Sequence, residues 1–140
     1  MGFKVDLVGI AEKAITQVEQ QLPERAFQSS IALKNASLEV LRGQRSGRVY
    51  RKPGGGKYTA SAPGEPPAVR TGTLRRSWRP VQSGSNNQNP AIETTVPYTG
   101  YLENGTPGGQ MAPRPFVQRI VDKALPEVKK IYERDFDIEL

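Results

Sequence analysis

The chain has 140 residues, a mass of 15.4 kDa and a formal net charge of +6, which suits a single domain with a modest core. It contains no cysteine and no histidine, so disulfides, thiolate zinc sites, cysteine nucleophiles and histidine acid–base chemistry are excluded. No apolar run approaches the ~20 residues of a membrane-spanning helix, and we expect no membrane partner.

Residues 1–42 have the pattern of helix. Apolar residues recur at spacings of three and four from Leu7 to Leu22 and form one stripe. Pro23 predicts either an interruption or the first turn of a second helix. A second apolar run then continues to Leu41.

Residues 43–72 are predicted to form an extended, basic, Gly/Pro-rich arm. Eleven of these thirty residues are glycine or proline, too many for a packed helix or a central strand. A short exposed hairpin is expected around the turn at residues 53–56, which lacks the serine or threonine of a phosphate-binding loop. Residues 62–67 are expected to be an extended loop of polyproline geometry. A loop of this length is typically functional or ordered by a partner.

The positive charge is concentrated in and around this arm. Residues 42–79 hold ten Lys or Arg against one acid, Glu65, whereas the rest of the chain is net negative. Such a segment favours a polyanion, an acidic protein surface or water as its surroundings, and composition alone does not choose among them.

Residues 73–114 are predicted to form strands and loops. A short strand is expected at residues 77–81 with Trp78 as its apolar anchor, after a turn in which Thr71 or Thr73 caps a short helix. The alternation over residues 91–96 predicts a half-buried antiparallel strand.

Residues 115–134 are predicted to form a C-terminal helix that Pro115 opens and that Pro126 kinks or divides. The predicted fold is therefore α+β. A small antiparallel sheet packs against the N-terminal and C-terminal helices and carries the long basic loop or hairpin arm.

The carboxylates do not predict a catalytic site. General acid–base chemistry needs two groups that converge in a cleft, and the spacing of Glu65, Glu93 and Glu103 does not imply this. The acidic residues near the C-terminus are expected to be solvated rather than to bind a metal. We expect neither an enzyme nor a cofactor.

The arm raises one alternative. Tyr50, Tyr58 and Trp78 are interleaved with its basic residues, and aromatic rings can stack on bases while arginines hold phosphates. No known nucleic-acid-binding motif is visible. A protein-binding or solvated arm is favoured, and a small basic nucleic-acid-binding protein remains the alternative.

Four short motifs follow one another along the chain: Pro-Gly-Glu-Pro-Pro at residues 63–67, Thr-Gly-Thr-Leu-Arg-Arg-Ser at 71–77, Tyr-Thr-Gly-Tyr-Leu-Glu-Asn-Gly-Thr at 98–106 and Arg-Pro-Phe at 114–116. In this order and spacing they resemble the head–tail joining proteins of tailed bacteriophages, the gene-product-ten-like neck or tail-completion family. Each motif alone is weak, and the resemblance lies in their combination.

The resemblance implies a non-enzymatic structural protein of the virion, located at the head–tail junction and in the host cytoplasm during assembly. Such proteins form rings of their own copies, with a hexamer favoured here and a dodecamer possible. The implied neighbours are head-closure or connector proteins and tail-terminator or tail-tube proteins. Passive contact with DNA in the channel is a further implied interaction.

Two groups of residues are predicted to carry this role. The assembly surface comprises Arg48, Tyr50, Arg51, Lys52, Lys57, Tyr58, Pro63, Gly64, Glu65, Pro66, Pro67 and Arg70. The residues expected to anchor the loops on the core are Thr71, Gly72, Leu74, Ser77, Trp78, Tyr98, Tyr101, Leu102, Glu103, Gly105, Thr106, Arg114, Pro115 and Phe116.

Overall fold

The computed structural model describes residues 2–5, 7–69 and 72–140, so the predicted roles of Arg70 and Thr71 lie outside the described residues. The elements in chain order are α1 (Val8–Val40), β1 (Val49–Arg51), β2 (Lys57–Thr59), α2 (Thr73–Ser77), β3 (Arg79–Ser83), a 3-10 turn (Ser85–Asn87), β4 (Asn89–Glu93), α3 (Thr99–Asn104) and α4 (Val117–Glu133).

The predicted α+β class is confirmed. Strands β3 and β4 form an antiparallel pair in which Val81 lies opposite Ala91, and α1 packs on both strands and on α4. Strands β1 and β2 form a second, separate antiparallel pair within the arm. No helix among the described residues combines the length and apolar character needed to cross a bilayer.

Helix α1 is continuous through Pro23, so the predicted interruption is wrong. Proline removes one helical hydrogen bond and usually breaks a helix interior. Here the helix is held on both sides of Pro23 by other parts of the chain. Upstream, Gln17 and Gln21 bind the C-terminal residues, and downstream the helix contributes to the core. Pro126 likewise lies inside α4 without dividing it.

The second half of α1 meets the sheet through small side chains. These let the strands approach the helix closely, and the buried ones are Ala26, Ser29, Ser30, Ala36 and Ser37. The Ser30 hydroxyl lies 2.8 Å from the Val81 carbonyl and accepts the Ala91 N–H at 3.0 Å. One serine therefore joins α1 to both strands of the sheet.

The first half of α1 buries its apolar stripe only in part. Val8, Ile10 and Ile15 are exposed, as is Leu7 at the N-cap, whereas Val18 and Leu22 are half-buried. The periodicity predicts the helix correctly, but the first turns of its apolar stripe lie on the surface.

The core is small and centres on two aromatic rings. Trp78 and Phe116 are in edge-to-face contact, with ring centroids 6.0 Å apart and planes at 70°. Buried around them are Ala36, Leu41, Ile120 and Ala124. The predicted roles of Trp78 as an anchor and Phe116 as a buried plug agree with this arrangement.

Several predicted boundaries shift. The strand expected at residues 77–81 is preceded by α2 and occupies Arg79–Ser83, while the strand expected at 91–96 occupies Asn89–Glu93. The last helix begins at Val117 rather than at Pro115. Helix α3 was not predicted, because six residues that include Gly100 are too short to show a helical period.

Candidate assembly surface

The arm contains a projecting hairpin, residues 47–60. Tyr50 lies opposite Tyr58 in the β1–β2 pair, and the pairing continues where the Gly47 N–H donates to the Ala60 carbonyl at 2.9 Å. A Cβ at Gly47 would lie 2.5 Å from that same carbonyl oxygen, so only glycine allows the strands to close at this end. The hairpin predicted from the Pro-Gly-Gly-Gly turn is present.

The hairpin has an aromatic face and a cationic face. The rings of Tyr50 and Tyr58 stack with centroids 5.6 Å apart, and the Arg48 guanidinium lies 5.3 Å from the Tyr50 ring centroid. Arg51 and Lys57 are the adjacent register pair. Because successive side chains of a strand point to opposite faces, these two cations lie on the face opposite the tyrosines.

The hairpin cations Arg51, Lys52 and Lys57 have no salt-bridge partner in the part of the chain that the structure describes. Among the described residues, the two salt bridges are Arg79–Glu93 and Lys123–Glu39, and neither involves the hairpin. The positive charge of Arg51, Lys52 and Lys57 therefore faces solvent or a partner.

Residues 61–69 form the base of the arm, which is bound to the body of the domain. The Gly64 N–H donates to the Pro113 carbonyl at 3.2 Å, and Arg119 donates to the Gly64 carbonyl at 3.1 Å. Pro66 and Pro67 are buried. The Pro-Gly-Glu-Pro-Pro motif thus makes a turn against the body, rather than the extended loop predicted from its prolines.

Arg45 connects this base to the end of α1. Its guanidinium donates to the carbonyls of Pro66 at 2.7 Å, Pro67 at 3.2 Å and Val40 at 2.9 Å. Nothing in the sequence distinguishes Arg45 from the other arginines of the basic run, so this role has no local signal. The Arg45 side chain therefore holds the base of the arm against the end of α1.

Glu65 closes the turn with its carboxylate. Its Oε1 accepts the N–H of Ala62 at 2.6 Å and of Ser46 at 3.1 Å. These backbone donors, the Ala62 N–H first, hold the pKa of Glu65 below its ordinary value of 4.5. The carboxylate form therefore stabilises the turn.

The Thr-Gly-Thr-Leu motif starts α2 and reaches the core. Gly72 precedes the helix with a φ of +79°, a conformation that glycine adopts without strain. Thr73 is the first helical residue, and Gly72 occupies the N-cap position. Leu74 packs against the core, and Ser77 bonds the Leu74 carbonyl at 2.7 Å and the Thr94 hydroxyl at 2.6 Å.

Glu103 joins two of the motifs. Helix α4 has no side-chain cap from Phe116, the residue at its N-terminus. Instead the Glu103 carboxylate, carried by α3, accepts the Phe116 N–H at 2.8 Å and the Val117 N–H at 3.2 Å. A carboxylate is favoured at a helix N-terminus because it satisfies free N–H groups and complements the helix dipole.

The loop between α3 and α4 is closed by backbone hydrogen bonds. The Thr106 N–H donates to the Met111 carbonyl at 3.1 Å, and the Arg114 N–H donates to the Leu102 carbonyl at 2.6 Å. The Thr106 side-chain hydroxyl accepts the Met111 N–H at 2.8 Å. Gly105 has a φ of +79°, and a Cβ there would lie 2.8 Å from the Met111 oxygen. Pro115 is half-buried beside Phe116.

The three predicted loop anchors Tyr98, Tyr101 and Leu102 differ in burial. Leu102 packs against the core, but 44% of Tyr98 and 52% of Tyr101 is exposed. Tyr101 therefore does not anchor the loop on the core.

A cleft of about 590 Å³ separates the hairpin from the body. Its walls are mainly apolar, and the residues that line it include Tyr50, Tyr58, Leu74, Leu102 and Met111. The hairpin thus presents its tyrosines to the cleft, and Arg51 and Lys57 to the other side.

The described residues contain no group of acidic side chains that could hold a metal ion. In comparisons with protein families, curated proteins and solved structures, none matches the chain.

Replacing Glu103 with alanine is expected to lower the free energy of unfolding by about 1 kcal/mol, with a range of roughly 0.5–2, because α4 loses its cap. Urea unfolding at neutral pH measures this. Glu127→Ala, at an exposed position on α4, is the control and should change stability by less than about 0.5 kcal/mol. Equal effects of the two substitutions would contradict the capping role.

Glu65 is expected to contribute a pH-dependent part of the stability. Its pKa is lower in the folded chain than in the unfolded chain, so its contribution is complete above pH 4.5 and is lost as the pH falls through the lowered folded value. The stability difference between the wild type and Glu65→Gln should shrink across this acid range. Urea unfolding at a series of pH values measures it, with Glu127→Gln as control. A difference that does not change with pH would refute the assignment.

Proposed function

We propose that this chain is a head–tail joining protein of a tailed bacteriophage, a non-enzymatic component that forms a ring in the neck of the virion. The proposal extends the motif resemblance to the whole described domain. A hexameric ring is favoured and a dodecameric ring is the alternative, in each case between head-closure or connector proteins and tail-terminator or tail-tube proteins.

The observation that carries the proposal is that the second, third and fourth motifs meet around one core, while the first motif binds the residues that flank the fourth. The Pro-Gly-Glu-Pro-Pro turn binds Pro113 and Arg119, next to the Arg-Pro-Phe motif. Glu103 of the third motif caps the helix that follows Phe116. The second motif adds Leu74 to the core that contains Phe116. Motifs spread over more than fifty residues thus build one structural unit, which supports treating them as parts of a single pattern.

The surface also supports an assembly role. The hairpin projects unneutralised cations, and the first half of α1 exposes a row of apolar side chains. Exposed apolar patches on a small domain mark sites of protein contact. A domain with two different contact surfaces can join its copies head to tail, and such contacts close into a ring when the rotation allows it.

A second candidate, binding to nucleic acid, is favoured by one specific observation. The stacked Tyr50 and Tyr58 rings lie beside Arg48, and Arg51 and Lys57 lie on the opposite face of the same hairpin. Aromatic rings next to free cations are the elements of a single-strand binding surface. In the neck, the same cations could contact DNA in the channel or an acidic surface of a neighbouring ring.

Phage particles assembled without this protein are expected to accumulate as full heads and finished tails that do not join. Electron microscopy of the lysate and addition of purified protein test this. A variant in which two glycines replace residues 49–59 should fold, because the Ala60 N–H already donates to the Arg48 carbonyl at 2.8 Å and the two chain ends are therefore close. This variant should not restore joining. Restoration at normal yield would exclude a role for the hairpin, and heads that leak or fail to package would place the protein elsewhere in the apparatus.

Binding to single-stranded DNA separates the two candidates. We expect weak binding that replacing both Tyr50 and Tyr58 with alanine leaves unchanged, because the tyrosines line the cleft. Fluorescence anisotropy at several salt concentrations measures it. The nucleic-acid candidate requires instead a steep loss of affinity with salt and a loss of about 1 kcal/mol or more per removed ring.

A further inference from the structure

The last residues of the chain, 135–140, lie along α1 and are called the tail below. Gln17 donates from Nε2 to the Glu139 carbonyl at 2.7 Å and accepts the Glu139 N–H at 2.7 Å. Gln21 makes the same pair of bonds with Asp137, at 2.6 and 3.0 Å. Two side chains of the helix thus bind the tail through its backbone alone.

The spacing of these bonds shows that the tail is extended. Four residues of an α-helix rise about 6 Å, and two residues of a β-strand rise about 6.6 Å. Side chains at every fourth position of α1 therefore meet every second residue of a strand. Arg25 continues the series, because it donates to the Asp135 carbonyl at 2.8 Å and packs 3.6 Å from the Phe136 ring centroid.

Helix α1 binds only one edge of the extended tail. In an extended chain, the N–H and C=O groups of successive residues point to opposite edges. The groups of Asp137 and Glu139 face α1, so those of Phe136 and Ile138 face away. Within the described part of the chain, the backbone groups of these two residues form no hydrogen bond. An open strand edge of this kind is a template for another strand.

The side chains of the tail alternate between acidic and apolar. One face carries Asp135, Asp137 and Glu139, and the other carries Phe136, Ile138 and Leu140. Ile138 and Leu140 are exposed, and the three acids have no salt-bridge partner among the described residues. The open edge therefore separates a negative face from an apolar face.

The hairpin has the complementary pair of faces. Its tyrosines lie on one side and Arg51 and Lys57 on the other, and it has only two strands. A two-stranded hairpin gains stability from a third strand. A tail strand at its edge would place apolar side chains beside the tyrosines and acidic side chains beside the cations, which is the mode of recognition known as strand addition.

The tail cannot reach the hairpin of its own chain while α1 holds it. Arg45 holds the base of the hairpin near Val40, at the end of α1. Gln21 lies nineteen residues earlier in α1, which is about 28 Å along the helix axis. We propose that the tail of one copy adds as a third strand to the hairpin of a neighbouring copy. This inference rests on the proposed ring and specifies the contact that links its subunits.

A charge exchange tests the contact. Two variants reverse the charges, the tail variant Asp137→Lys/Glu139→Lys and the hairpin variant Arg51→Glu/Lys57→Glu. Each should self-associate at least about tenfold more weakly than the wild type, because like charges then face each other. An equimolar mixture should recover association, since lysine tails meet glutamate hairpins and native tails meet native hairpins. Sedimentation at low salt measures all three, and Lys4→Glu/Lys129→Glu is a control with the same charge change as the hairpin variant.

Hydrogen exchange gives a second measurement. In the monomer the amides of Asp137 and Glu139 should be protected by the glutamines, whereas those of Phe136 and Ile138 should exchange freely. On association the Phe136 and Ile138 amides should slow by at least about tenfold. This readout does not depend on any substitution, so a folding defect in a variant cannot mimic it.

The outcomes separate the two proposals. If the wild type forms rings while both variants still associate normally, or while the Phe136 and Ile138 amides remain unprotected, the tail–hairpin contact is wrong and the neck assignment stands. Variants that lose association but do not recover it on mixing also overturn the contact. A wild type that stays monomeric at every concentration overturns the ring and the contact together.

Discussion

The hydrogen bonds from Phe116 and Val117 to the Glu103 carboxylate are the constraint on which the rest of the domain depends. They fix α3 to the start of α4, and the 2.6 Å bond between Arg114 and Leu102 holds the intervening loop against the same point. Phe116 is then directed against Trp78, where α1, α2 and α4 meet. A single carboxylate outside the helix thus sets where the helix begins and which ring enters the core.

The core is too small to hold the long loops in place by packing alone. Hydrogen bonds from arginine side chains to backbone carbonyls also hold them. Arg45 binds the base of the arm, Arg25 binds the end of α4, and Arg75 donates to the Leu38 carbonyl at 2.8 Å. These cations stabilise the fold by satisfying carbonyls that have no helical or strand partner. The basic run at residues 42–79 therefore contains two populations. Arg45 and Arg75 bind the backbone of the domain, whereas the hairpin cations Arg51 and Lys57 have no salt-bridge partner among the described residues.

The sequence predicted the fold class, the hairpin and the roles of Trp78 and Phe116, because each has a local signal in periodicity, turn residues or size. It failed where distant contacts decide. Pro23 is a helix breaker by propensity, yet the bonds of Gln17 and Gln21 to the tail hold α1 on its upstream side. The capping role of Glu103 has no local signal either, since its partner lies thirteen residues away across a loop.

The positions of the two open edges, one on the hairpin and one on the tail, explain how copies of this small domain can join into a larger structure. One edge lies on the hairpin beyond the end of α1, and the other lies on the tail near the start of α1. The tail of one copy therefore cannot pair with the hairpin of the same copy. Association then proceeds in one direction, from tail to hairpin, and each added copy presents the same pair of edges again. Whether such a series closes depends on the angle between the tail and the hairpin, which α1 sets as one continuous helix through Pro23. The angle that this helix imposes therefore decides between a ring and an open filament.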